Sequence, residues 1–136
     1  MAPDPASLRF FVDESLMGVG KALAHARKDV VHAGHPLIPD APVGARDVDW
    51  MPAVASRDLA VICRDERLRT RPGELEVLRQ HGLRVFYLAG KRDLSNWDYL
   101  VRLVRRWDDI EHTLNERGQG PWFIAVHDAR VTELIV

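Results

Sequence analysis

The chain has 136 residues, the size of one domain with one hydrophobic core. Its composition, 46% apolar and 29% charged, is that of an ordinary soluble globular protein. A formal net charge of −1 gives no global attraction to nucleic acid or membrane, and no stretch approaches the ~20 apolar residues of a membrane span. Cys63 is the single cysteine, which excludes an intramolecular disulfide and points to a reducing compartment. The opening MAPDPAS lacks the pattern of an export signal, so a cytoplasmic location is expected.

Residues 1–7 carry two prolines and are expected to be disordered, with one domain over 8–136. LRFFV at 8–12 reads as a strand that ends on Asp13, with Ser15 as N-cap of a helix over 16–27. DVVHA at 29–33 is the next strand. Residues 34–46 hold three prolines and two glycines and form a long loop. The acidic start of 47–56 suits a helix N-terminus, provided Pro52 falls in or near the first turn. The stretch 59–72, LAVICRDERLRTRP, begins as a buried parallel strand and passes through Asp65 into a polar loop rich in arginine. A helix over 73–81 is closed by Gly82, and LRVFYL at 83–88 is a strand. Ser95 caps a long helix to Arg117, whose core stripe is Trp97, Leu100, Val101, Val104, Trp107, Ile110 and Leu114. Residues 122–126 are a last clear strand, and the tail offers a further short one. This alternation predicts a three-layer α/β/α domain with a mainly parallel central sheet.

Ligand sites in open α/β sheets lie beyond the carboxyl ends of the strands. Asp13 ends the first strand, Asp65 ends the third, and Asp47 opens the helix leading into that third strand, so all three are expected at one edge. Asp49 and Glu66 are adjacent acids. Clustered carboxylates repel one another unless a cation is present, and hard Mg²⁺ or Mn²⁺ is the natural partner. Two such ions roughly 3.5–4 Å apart would serve a phosphodiester displacement. The competing reading is that these acids are solvated caps and turn residues.

Local charge is less balanced than the total, since 11 of the 19 basic residues lie between Arg64 and Arg106. Arg64, Arg67, Arg69 and Arg71 suit a polyanion such as a nucleic-acid backbone, or alternatively salt bridges within a solvated loop. Arg102, Arg105 and Arg106 are expected on a solvated helix face. His32 and His35 read as strand-end residues. Trp50, beside the acids, is the one tryptophan expected to be free to stack on a base. Cys63, within an apolar run, reads as an inert buried thiol.

The pieces FFVDESL at 10–16, DVDW at 47–50, VICRDERLRTRPGEL at 61–75 and GPWF at 120–123 together resemble the PIN-like nucleases, and within them the short group related to VapC-type toxins. The resemblance implies a ribonuclease dependent on Mg²⁺ or Mn²⁺, with Asp13, Asp47 (Asp49 its competitor) and Asp65 as metal ligands. It also implies an RNA substrate cut to a 3′-hydroxyl and a 5′-phosphate, and a separate antitoxin protein; a homodimer is a further expectation. The usual hydroxyl residue before the third acid is replaced by Cys63. Longer members carry a glutamate on a helix between the first and second acids, where this chain has only the loop with Asp40. Two alternatives stand beside this reading. One is a receiver-like module with Asp65 as phosphoacceptor and Lys91 beside it. The other is a PIN-like fold that has lost catalysis and serves as an interaction protein.

Overall fold

The apolar runs become the strands of a single sheet. A computed structural model describes residues 2–136. Its strands are β1 (Phe10–Val12), β2 (Val30–His32), β3 (Ala60–Cys63), β4 (Arg84–Leu88), β5 (Trp122–Val126) and β6 (Val131–Leu134). They lie in the order β2-β1-β3-β4-β5-β6. All neighbours pair in parallel except β6, which returns antiparallel on β5. The helices are α1 (Met17–Ala26), α2 (Asp47–Ser56), α3 (Arg67–Thr70), α4 (Pro72–His81) and α5 (Asn96–Arg117).

Successive strand residues point to opposite faces, and here both faces are covered, which explains the unbroken apolar runs. Phe11, Val61, Val85 and Phe123 pack with Trp50, Met51, Val54 and Leu78 of α2 and α4. Phe10, Ile62, Phe86 and Ile124 pack with Val19 and Leu23 of α1 and with Tyr99, Leu103 and Ile110 of α5. The three-layer α/β/α architecture is therefore the observed one.

Several local expectations are corrected. Residues 4–7 are not a loose tail: Pro5–Ser7 form a 3-10 turn capped by Asp4. The first helix enters through a 3-10 turn, Glu14–Leu16, and its cap is Asp13 and not Ser15. The arginine loop contains α3, four residues long and too short to show a period. Pro52 sits in the second turn of α2, one turn deeper than expected; the lost helix bond is set against burial of Trp50, Met51 and Val54 in the same helix.

The face of α5 is the largest misreading. Of the expected stripe, Ile110 is buried and Leu100, Trp107 and Leu114 pack against the core, but Trp97 and Val104 are 70% and 64% exposed, and Tyr99, Arg102, Leu103 and Thr113 are buried. Polar tips hide this face from a hydrophobic count. The Arg102 guanidinium is buried because it donates to the carbonyls of Ala89 and Val126 at the ends of β4 and β5, and to Asp128 at 3.0 Å. Two cap expectations hold: Ser95 accepts from the Asp98 N–H at 3.1 Å, and Gly82 closes α4 in the left-handed region at φ 64°.

Candidate active site

Parallel pairing of Val12 with Ile62 sets the carboxyl ends of β1 and β3 side by side. Asp13 follows β1 directly, and its backbone N–H donates to the Ile62 carbonyl at 3.2 Å. Asp65 lies two residues beyond β3. Their charges act on each other and on Asp47, the first residue of α2. The three acids thus lie at one edge of the sheet, near enough for their charges to act on one another.

Asp13 is only 4% exposed. Its carboxylate accepts the Ser15 N–H at 3.2 Å and a short bond from the Ser15 hydroxyl. Ser15 Oγ also accepts the Arg64 N–H at 2.9 Å, so one hydroxyl ties the tail of β1 to the tail of β3. Burial pushes the Asp13 carboxyl up to about 7; the Ser15 bonds oppose this, and the charges of Asp47 and Asp65 add to it. Asp47 is also raised, by burial first and by Asp65 and Glu74 next, against a hydrogen bond from Trp50 Nε1 at 3.0 Å. Asp65 goes the other way. Burial opposes its ionisation, but Arg67 outweighs that and holds it below the usual carboxylate range. The Arg67 guanidinium grips both Asp65 oxygens, with Nε at 2.8 Å and Nη2 at 2.7 Å.

Not every expected residue belongs here. Asp49 turns outward and is paired with Arg46 at 2.9 Å. Glu66 is exposed before α3 and borders a groove of about 710 Å³ with Asp65, Arg67, Tyr87 and Lys91. Arg64 borders the same groove, but its donors are engaged within the chain. Its five N–H donors go to Tyr99 Oη, Tyr87 Oη and the carbonyls of Leu88, Gly90 and Arg92, which leaves none for phosphate. Arg69 lies over the Phe123 ring at 5.9 Å. Arg71 is exposed, 3.8 Å from Glu74. Trp50 is not free to stack on a base: it is buried against Phe11, and its indole N–H is committed to Asp47. The Cys63 thiol is pushed far up by burial, so it is no nucleophile. His32 and His35 meet edge to face at 5.2 Å at the end of β2.

Glu74 is the acid the sequence reading passed over. It stands in the first turn of α4, and it lines a cavity of about 330 Å³ together with Asp47. Its Oε2 is buried with no hydrogen-bond partner. Among the described residues, no three carboxylate, histidine or cysteine side chains are close enough together to grip a metal ion as they stand. Asp13, buried beside like charges, and Asp47, raised next to it, are groups that a hard cation would satisfy, whereas both Asp65 oxygens are already held by Arg67.

Fold and site together define an α/β domain with a carboxylate cluster at the carboxyl edge of a parallel sheet. A PIN like domain model matches residues 8–90, more than half of the chain, and the protein belongs to that family. The match is to the PIN-like domain and not to the VapC group in particular. It sets aside the receiver-like alternative. No curated protein and no solved structure matches. No helix among the described residues is long and apolar enough to cross a membrane.

Proposed function

We propose that the protein is a metal-dependent endoribonuclease, the toxin of a toxin–antitoxin pair, acting in the cytoplasm and held in check by a separate antitoxin. The observation that carries this is Asp13: a carboxyl shut away from water at the end of β1 in a PIN-like domain, with the charges of two further acids acting on it. Asp13, Asp47 and Asp65 would hold Mg²⁺ or Mn²⁺. The bound ion lowers the pKa of water and offsets charge on a phosphodiester.

The chain's own residues do the positioning. Ser15 fixes the Asp13 carboxylate, and the Trp50 indole fixes that of Asp47. Arg67 supplies the positive charge nearest the acids, and Lys91 lies across the same groove, where phosphates of a single strand would pass. Of the two adjacent acids, Glu66 borders this groove and could orient water, and Asp49, paired with Arg46, does not. The test is cleavage of a labelled RNA with Mn²⁺ and with EDTA. Cleavage that stops in EDTA and is lost in Asp13→Asn is expected. Cleavage that survives either treatment overturns the reading.

A further inference from the structure

We propose that the outward face of α5 is the interface of a two-fold dimer, its occupant a second copy of this chain. The inference goes beyond the ribonuclease reading and does not depend on it.

Trp97, Val101 and Val104 follow the i, i+4, i+7 spacing that sets side chains on one helix face. Trp97 and Val104 are exposed and Val101 is half-buried, so the sheet makes little use of this stripe. Single apolar residues on a surface are ordinary, but a contiguous stripe anchored by a tryptophan marks a contact surface. The charges beside it identify the occupant. Arg102, Arg106 and Arg117 of α5 are paired within the chain, with Asp128, Asp109 and Glu133. Asp98 and Arg105 are exposed, and neither side chain has an ion-pair partner among the described residues. They stand two helical turns apart, on either side of Val101. With Val101 and Arg102 they line a cavity of about 200 Å³ along one flank of the stripe.

An acid and a base set at nearly equal distances from the centre make this surface complementary to itself. Antiparallel pairing of α5 with its counterpart, about an axis beside Val101, sets Asp98 against Arg105 of the second copy, and the reverse. The same rotation brings Trp97 onto Val104 and Arg105 of the second copy, an aliphatic side chain and a guanidinium that both suit an indole face. Because the paired helices run in opposite directions, the carboxyl edges of the two sheets lie at opposite ends of the dimer. The acids of both copies therefore stay open.

The experiment measures the mass of the full chain by sedimentation equilibrium over a range of concentrations, without RNA or metal. A monomer–dimer equilibrium is expected. Trp97→Ala is expected to weaken it by at least about tenfold. Arg105→Glu and Asp98→Arg each set like charges against one another and are expected to weaken it as well. The two combined exchange the charges and are expected to restore it. All three side chains are exposed, so these variants are expected to unfold at the wild-type temperature. A wild type that stays monomeric up to millimolar concentration leaves the face to a different protein and overturns the proposal. If that monomer loses RNA affinity in Trp97→Ala, the face belongs to nucleic acid instead. A dimer that Trp97→Ala leaves intact overturns it too, as does a combined variant no tighter than the single ones.

Discussion

Two buried aspartates, one at each edge of the same sheet, have opposite electrostatics. Asp29 precedes β2 at the amino edge and is 7% exposed; Asp13 follows β1 at the carboxyl edge and is 4% exposed. Burial raises both. At Asp29, Arg27 at 2.8 Å and Arg9 at 3.0 Å outweigh it, and the carboxyl ends below its ordinary range. Glu111 completes that network from α5, and the Arg27 guanidinium also stacks on Trp107 at 4.6 Å. At Asp13 the partners are a serine and two more acids, and the carboxyl ends near 7. The amino edge is charge-balanced within the chain. At the carboxyl edge Arg67 balances Asp65, but Asp13 has no ion-pair partner among the described residues, and this is the difference on which the proposed cation site rests.

This contrast can be broken most sharply by exchanging each carboxylate for an amide. Asp13→Asn is expected to cut RNA cleavage by more than ~100-fold, beyond the range seen for residues that only support ligands, while the protein stays folded in urea titration. Asp29→Asn is expected to do the reverse. It should lower unfolding free energy by about 1–3 kcal/mol, since two partly exposed arginines lose their partner, with cleavage per folded molecule unchanged. Equal behaviour of the two variants would erase the distinction between the edges.

Arg64 sharpens it further. Arg64→Ala strips five acceptors of their donor and is expected to cost about 1–3 kcal/mol in denaturant. The salt dependence of RNA binding should stay as it was, because all five of its donors are taken by acceptors within the chain.

The pH dependence should also separate them. A carboxyl whose folded pKa is raised favours the folded state most below its unfolded value near 4, and that contribution is lost as pH rises through about 7. Without divalent ions, the melting temperature is therefore expected to fall between pH 5 and pH 8. Asp13→Asn should flatten this, and Mn²⁺ should reverse it. The lowered pKa of Asp29 acts only at the acid end, where its contribution is lost as pH falls below about 4. The smallest effect belongs to Lys91→Ala: a decrease of about one in the slope of log affinity against log salt for RNA.

Much of this fold was legible in the chain because parallel strands buried on both faces write themselves as apolar runs, and because an aspartate ending such a run has few other places to go. Asp13 and Asp65 were placed at the carboxyl edge that way, and Asp47 by the acidic start of α2. What escaped depended on packing between distant segments. Tyr99 and Arg102 carry their apolar stems inward under polar tips, so the period of α5 pointed to Trp97 and Val104 instead. Arg64 sits amid other arginines and reads as one of them until the carbonyls beyond β4 close round it. Glu74 reads in the sequence as half of an ordinary pair with Arg71, and only the fold shows that its paired oxygen is buried without a hydrogen bond.

The bond from the Trp50 indole to Asp47 gives the protein an internal optical reporter. Indole emission responds to the charge held against its nitrogen, and here that charge belongs to Asp47, a carboxylate of the proposed cation site. Titrating Mg²⁺, which quenches nothing by itself, is expected to change the emission of the wild type but not of Trp50→Phe. Occupancy could then be followed in real time on unlabelled protein, with no substrate present.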